Sequence, residues 1–215
     1  MRDIKRMLKV TLAVALCTII AVYGASPGAE TTCAAETKPA LSVNYCGKTV
    51  KLIKDIYGKE VRVKVEAMEK KWGKPNKKEK AYANDSEFWY TWKKGKTSIV
   101  VDNFTGGDPG NAGGIHIDIK DKNASICGIK VGMKKQKALK KLEKTIGKEK
   151  VIVLKEGQQP DGEKDEDGSL ISFTSGTGKA TSNKEVIYVE MGSWSPMQVK
   201  LTKSGMVKEI FYLYS

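Results

Sequence analysis

The sequence predicts an α+β fold made of two tandem repeats, each a helical unit followed by an antiparallel β-meander packed on it. Three observations support this class. The composition is that of a globular protein, with 40% hydrophobic and 29% charged residues. An amphipathic segment that stops at Gly-Lys occurs twice, and alternating apolar segments follow each occurrence. The 215 residues are also enough for one large or two small domains.

The N-terminal segment is typical of a secretory signal peptide. An uncharged run over residues 10–29 follows four basic side chains, those of Arg2, Lys5, Arg6 and Lys9. Gly24 and Pro27 interrupt the run before about 20 apolar residues accumulate, so no stable membrane span is expected after cleavage. We therefore predict a secreted or cell-envelope protein. Small residues leave three cleavage sites open, after Gly24, Ala29 or Ala35.

The mature chain is expected to stay strongly basic. Residues 1–35 are assigned to the signal peptide and a short linker, and their removal leaves 34 basic against 23 acidic side chains. Such an excess attracts anionic wall polymers, lipid headgroups and other acidic macromolecules. The lysines are mixed with acids along the whole chain and no nucleic-acid-binding motif accompanies them, so nucleic acid is not expected as a partner. Solvated lysine faces are the alternative explanation.

The first repeat is assigned to residues 36–124. After an irregular lead into a strand over residues 36–50, a helix is predicted from Glu60 to Trp72, because apolar residues recur there at spacings of four, three and four. Gly73 and Pro75 end it. Three strands of a meander then follow in the segments SEFWYTW, TSIVVDN and GGIHIDIKD.

The second repeat is assigned to residues 125–215, because the same pattern returns 74 residues later. Gly58, Glu69, Lys70, Gly73 and Lys74 match Gly132, Glu143, Lys144, Gly147 and Lys148. The apolar stripe matches in kind, since Val65, Met68 and Trp72 align with Leu139, Leu142 and Ile146. The strand-like segments that follow the second helix are VIVL, SLISF, EVIYVEM, PMQVKL and MVKEIFYLY.

The segment GIKVGMKKQKALKKLEKTIGK, with its following strands and the terminal VKLTKSGMVKEIFYLY hairpin, resembles one repeat of the β-lactamase-inhibitor-protein-like architecture. The outer-membrane assembly lipoproteins of the SmpA/OmlA type share that architecture. The resemblance covers most of residues 48–215 as a pattern. It implies an exported binding, inhibitory or assembly module and implies no catalytic residue. The chain departs from the lipoproteins because no lipobox precedes Cys17 or Cys33.

Export would allow the cysteines to persist as a disulfide. Cys17 leaves with the signal peptide, and cleavage after Ala35 would also remove Cys33. The remaining pair, Cys46 and Cys127, then permits one bridge. Two independent small hydrophobic side chains are an equal alternative, since a core of this size needs no covalent link.

No catalytic constellation is found, and the chain is predicted not to be an enzyme. His116 is the only histidine, and the alternation of GIHIDIK places it on the surface face of a strand. The segment GTGK at 176–179 lacks the spacing of a phosphate-binding loop and is predicted to be a hairpin loop. Carboxylates between Asp161 and Asp167 are predicted to form a solvated acidic turn rather than a calcium site, since no EF-hand spacing accompanies them. No metal and no cofactor are expected.

Aromatic residues are the remaining binding candidates. In the segment FWYTW, Trp89 points away from the face shared by Phe88, Tyr90 and Trp92, so Trp89 could stack on a sugar or anchor a protein partner. Tyr212 and Tyr214 raise the same question on the last strand. The alternative for all three is packing in the core.

The chain is thus expected to be a non-enzymatic interaction module that binds a protein partner outside the cytoplasm. The second possibility is binding of wall glycan or an anionic polymer through exposed aromatics and lysines. An enzyme of unrecognised type is the third.

Overall fold

The strands and helices are known for a defined set of residues. The computed structural model describes residues 41–56, 59–81, 86–103, 113–164, 166, 170–191 and 196–214. The predicted signal peptide, with its cleavage sites, lies outside these ranges. Within them, the first half of the chain forms β1 (Ser42–Tyr45), β2 (Lys48–Lys51), β3 (Ile53–Ile56), β4 (Lys59–Arg62), α1 (Val65–Trp72), β5 (Lys77–Lys80), β6 (Phe88–Lys94), β7 (Thr97–Asp102) and β8 (Ile115–Ile119).

The second half continues with one helix and seven strands among the described residues. They are β9 (Ala124–Ile126), α2 (Lys135–Ile146), β10 (Val151–Lys155), β11 (Gln159–Lys164), β12 (Leu170–Thr177), β13 (Glu185–Glu190), β14 (Pro196–Leu201) and β15 (Val207–Tyr214). Neither α1 nor α2 is long and apolar enough to cross a membrane, and no other helix occurs in the described ranges.

An eight-stranded sheet organises the molecule. Its order is β10-β13-β14-β15-β8-β7-β6-β5, and every neighbouring pair is antiparallel. The centre is the pair β15–β8, in which Tyr212 lies opposite Ile117. A smaller sheet has the order β2-β1-β9, and two hairpins, β3–β4 and β11–β12, form two-stranded sheets. The meander predicted for residues 86–120 is confirmed as β6–β7–β8.

The predicted fold class is wrong. Strands dominate the described part of the chain, and its two helices have only 8 and 12 residues. The structure is therefore mostly β, not an α+β fold with a helical unit in each repeat. The physical reason is clearest at residues 60–62, which the periodicity assigned to the first helix. Val61 pairs with Lys54 in the β3–β4 hairpin, so this segment satisfies its backbone hydrogen bonds across strands.

Other elements also differ from the prediction. Residues 42–51 form the β1–β2 hairpin instead of an irregular lead, and β5 and β11 were not expected at all. The helix ends are confirmed. The Gly73 N–H donates to the Glu69 carbonyl and the Gly147 N–H to the Glu143 carbonyl, both with positive φ that favours glycine. The division into repeats at residues 124 and 125 stays a prediction.

One large core lies between the eight-stranded sheet, the helices and the β2-β1-β9 sheet. It includes Met68 of α1, Leu142 of α2, Val43 of β1 and Ile117 of β8, all fully buried. An aromatic cluster closes the end near α1. The Trp72 and Trp92 rings meet edge to face at 5.6 Å, and the Trp92 indole N–H donates to the Gly73 carbonyl at 2.9 Å. Trp72 is itself only partly buried.

Candidate binding face of the large sheet

The eight-stranded sheet has two unlike faces. On β8, Ile115, Ile117 and Ile119 are fully buried, whereas the alternating His116 is exposed and Asp118 half-buried. The isoleucines belong to the core cluster that contains both helices. They therefore mark the inner face, and His116 and Asp118 mark an outer face on the opposite side. The exposed position predicted for His116 is confirmed.

One end of the outer face is covered by the β11–β12 hairpin. A second, smaller core forms there from Leu154, Val186 and Tyr188, with Ile152 packed against it. A Cβ on Gly176 of β12 would lie 2.5 Å from Leu154 Cδ2, so glycine lets the hairpin pack closely on this small core. Desolvation by burial raises the pKa of the Tyr188 hydroxyl above 10.0. The hairpin thus seals this end against water.

The centre of the outer face is apolar and open in the described part of the chain. Leu213 lies opposite His116, which in turn lies opposite Val100 on the next strand. Leu213 keeps 46% of its surface exposed, and Val100 and Phe211 are half-buried. The His116 and Phe211 rings meet edge to face at 5.2 Å and 71°. These four residues, His116, Val100, Phe211 and Leu213, are called the open face below.

A row of charged side chains borders the open face. The Lys120 ammonium group hydrogen-bonds Asp118 and lies 3.6 Å from a Glu209 carboxylate oxygen, which is also 3.6 Å from the Lys200 ammonium group. The hydrogen bond that Lys120 donates to Asp118 raises the pKa of Lys120 despite an opposing effect of burial, and the charges of Asp118 and Glu209 add to the increase. Charge in this row is largely balanced.

The structure separates the three aromatic residues that the sequence suggested for binding. Trp89 is half-buried on β6, where it lies opposite Asp102. Tyr212 is fully buried in the core, and Tyr214 is partly buried against the same core. Only Trp89 therefore shares the outer face. Phe211 and Leu213 were missed, although they alternate with Tyr212 and Tyr214 in the segment EIFYLY.

The two cysteines are both free thiols in this structure, Cys46 exposed and Cys127 buried. In the β1–β9 pair, the Cys46 N–H donates to the Asn123 carbonyl and the Cys127 N–H to the Ser42 carbonyl. The two cysteines are therefore four residues apart along the β1–β9 strand pair, a distance of roughly 13 Å at about 3.4 Å per residue. A disulfide requires Cα atoms less than about 7 Å apart. Burial raises the pKa of the Cys127 thiol, against opposing hydrogen bonds to Ser42, which keeps it protonated.

The chemical candidates are not brought together. Across the described ranges, no group of three or more His, Cys, Asp and Glu residues could hold a metal ion. Of the acidic segment, Asp161 and Glu163 lie in β11, whereas Asp165 and Asp167 fall outside the description. The GTGK segment was predicted to be a hairpin loop, but its first two residues, Gly176 and Thr177, end β12 and pair with Pro160 and Gln159 of β11.

Comparison of the chain with family models, curated proteins and solved structures found no match. The resemblance to the β-lactamase-inhibitor-protein-like architecture therefore stays a prediction.

Proposed function

We propose that this protein is an exported, non-enzymatic binding module that holds a protein partner on the open face of its large sheet. The observation that most favours this function is Leu213, which is 46% exposed on a strand whose alternate residues are buried. Burying the part of this side chain that is still exposed would contribute about 1 kcal/mol, roughly half the value for burying a fully exposed leucine.

The surroundings of Leu213 support a protein partner. Interface centres combine apolar or aromatic anchors with a polar rim. Phe211 and His116 supply the aromatic part next to Leu213, and the Asp118–Lys120–Glu209–Lys200 row supplies a charge-balanced border. A balanced border gives little long-range attraction to polyanions. It can instead pair with complementary groups and fix the orientation of a folded partner.

Wall glycan is the less favoured ligand for this face. Sugar stacking needs an aromatic ring whose flat face is accessible. The His116 ring stands edge-on against Phe211 at 71°. The two rings therefore do not form one flat surface on which a sugar ring could stack. Trp89, on β6, is half-buried beside Asp102 and is separated from Phe211 by β7 and β8.

The test is crosslinking from the native envelope and growth medium. A photo-reactive residue at position 213 should capture a partner at high salt, because burial of apolar surface is not screened by ions. In a separate capture with tagged protein, Leu213→Asp should abolish recovery of the same partner. The matched control is Gln136→Asp, which adds the same charge at an exposed position of α2 on the other side of the sheet.

Two outcomes would contradict the proposal. One is recovery of the partner undiminished by Leu213→Asp. The other is equal loss with Gln136→Asp, which would show that net charge and not the open face governs binding.

A further inference from the structure

The exposed side of α2 carries a concentrated row of positive charge. Lys137, Lys140, Lys141 and Lys144 are all exposed, and their spacing of three, one and three residues places them on one side of the helix. At 1.5 Å per residue the row is about 10 Å long. We propose that this lysine ridge is a docking surface for a linear, phosphate-bearing polyanion, independent of the open face.

No described carboxylate neutralises the ridge. Within the described ranges, none of its four ammonium groups forms an ion pair, and the only acid of α2, Glu143, is half-buried to one side. Lys135 differs, because its ammonium group lies 2.7 Å from a Glu185 carboxylate oxygen. The core-facing lysine of the helix is thus paired, and the outward-facing ones are left to solvent.

The positive surface continues beyond the helix. The Lys141 ammonium group reaches back over the turn before α2, where it lies 3.2 Å from the position that a Cβ of Gly128 would occupy. Lys130 is exposed two residues farther along that turn. A chain of negative groups laid along α2 would therefore meet ammonium groups over more than the length of the ridge.

The chemistry of the ridge favours a flexible polymer over a small anion. Arginine, whose planar group grips single phosphates in two places, is found only at positions 2, 6 and 62. Lysines on an open convex helix act as mobile point charges. They bind best where one ligand neutralises several of them and releases their counterions together, which is the behaviour of linear polyanions.

A lipid surface fits the ridge less well. Helices that lie on a bilayer insert large apolar side chains beside their lysines. The apolar residues of α2, Ala138, Leu142 and Ile146, are buried in the core of the protein. The exposed residues that flank the ridge, Gln136 and Thr145, are polar.

The ridge and the open face lie on opposite sides of the sheet, because α2 packs on the inner face. A polyanion on the ridge would leave the open face free for a protein. Each surface can therefore be tested, and can fail, without the other.

The test uses the purified protein and long-chain inorganic polyphosphate, with binding followed by fluorescence anisotropy. Affinity should fall steeply as ionic strength rises through about 0.15 M. Replacing Lys137, Lys140, Lys141 and Lys144 by glutamine, which keeps good helix propensity, should weaken binding at low salt at least about tenfold. The matched control replaces four other exposed lysines without ion pairs in the described ranges, Lys93, Lys94, Lys96 and Lys179. It should change affinity less than about twofold.

Several results would overturn the proposal. Equal weakening by the two quadruple variants would show that only net charge matters. Binding that is insensitive to salt would exclude the electrostatic basis. Tighter binding to phosphatidylglycerol vesicles than to polyphosphate at equal phosphate concentration would assign the ridge to a membrane surface.

Discussion

Asp121 connects two loops through a single carboxylate. Its oxygens accept hydrogen bonds from the Lys96 N–H at 2.6 Å, the Thr97 hydroxyl at 2.6 Å and the Asn123 N–H at 2.9 Å. Burial works to raise the pKa of this carboxyl, but the hydrogen bonds from Thr97, Asn123 and Lys96 outweigh it and hold the pKa below 3.8. The charged Asp121 carboxylate thereby holds the β6–β7 turn and the β8–β9 loop together.

Asp121→Asn should lower the free energy of unfolding at neutral pH by about 1–3 kcal/mol, since an amide cannot accept all three bonds. A lowered pKa in the folded state means that the contribution is complete above the unfolded pKa. It is lost as pH falls through the folded value. Urea titrations at several pH values should therefore show the two proteins converging in stability as pH falls below the ordinary aspartate pKa of about 3.9. A stability difference unchanged between pH 7 and that acidic limit would contradict this account.

The Trp92 side chain is buried in the core and also donates a hydrogen bond. It is 1% exposed, and its indole N–H is bonded to the Gly73 carbonyl at 2.9 Å. Trp92→Phe should cost about 1–3 kcal/mol of unfolding free energy, because it removes the hydrogen bond to the Gly73 carbonyl and leaves a small void in the core. Trp89→Phe on the same strand should cost less than about 1 kcal/mol, since that indole is half-buried. Chemical denaturation of both variants measures the contrast, and equal losses would refute it.

Two hairpin turns place a cysteine in an unusual backbone conformation. Cys46 and Gly47 have φ of 52° and 85°, and Cys127 and Gly128 have φ of 48° and 75°. Two central residues with positive φ are the pattern of a type I′ turn, which favours Asn-Gly. A cysteine in this region carries strain that asparagine would relieve.

Cys46→Asn should therefore stabilise the protein by about 0.5–1 kcal/mol. Cys127→Asn is the matched contrast, because Cys127 is only 7% exposed. Burying an amide there should destabilise the fold by about 1–3 kcal/mol despite the favourable φ. Thermal melting of the two variants should shift in opposite directions. A shift in the same direction would show that backbone strain is not what separates the two turns.

Helix α2 begins without help from its side chains. Its N-cap residue is Lys134, which makes no side-chain capping bond, and no acid lies in the first turn. Positive charge at this end also opposes the helix dipole. Lys134→Asp should add a cap and a favourable charge, and raise the free energy of unfolding by about 0.5–2 kcal/mol. Lys134→Ala is the control, because alanine adds neither a cap nor a negative charge. It should raise the free energy of unfolding by only about a few tenths of a kcal/mol.

The whole molecule depends on the central strand pair of the large sheet. Ile117 of β8 is fully buried and lies between Ile99 of β7 and Tyr212 of β15. Its strand joins β7 to the last strand, β15, and one core cluster includes residues from both halves of the chain. Residues 36–215 accordingly form one compact unit.

Ile117→Ala should destabilise the protein by about 2–5 kcal/mol and leave a single unfolding transition, because its cavity lies at the shared centre. His116→Ala, the adjacent exposed position, should change stability by less than about 0.5 kcal/mol. Far-ultraviolet circular dichroism and tryptophan fluorescence should report the same midpoint in denaturant. The four tryptophans are Trp72, Trp89, Trp92 and Trp194. If the two spectroscopic probes gave separate midpoints, parts of the protein would be unfolding independently.

Much of the strand content could be predicted because it depends on local alternation. Ile115, Ile117 and Ile119 repeat every second residue, and that pattern alone separates the buried side from His116. The two helix ends were predictable for a similar reason, since Gly73 and Gly147 adopt conformations that favour glycine. The helix start at residue 60 was not predictable, because the β3–β4 pairing that converts it to strand involves residues five to nine positions earlier in the chain.

The amino-acid sequence by itself determined the basic charge, the strand-forming alternation and the glycine-terminated helices, because these depend on residues and their near neighbours. Only the tertiary structure decided which aromatic residues face outward. Tyr212 became core because β15 pairs with β8 and turns that residue toward the helices, while Phe211 and Leu213 were left on the other side. Which face of a strand is covered depends on what packs against the sheet, and that is a property of contacts between residues about a hundred positions apart.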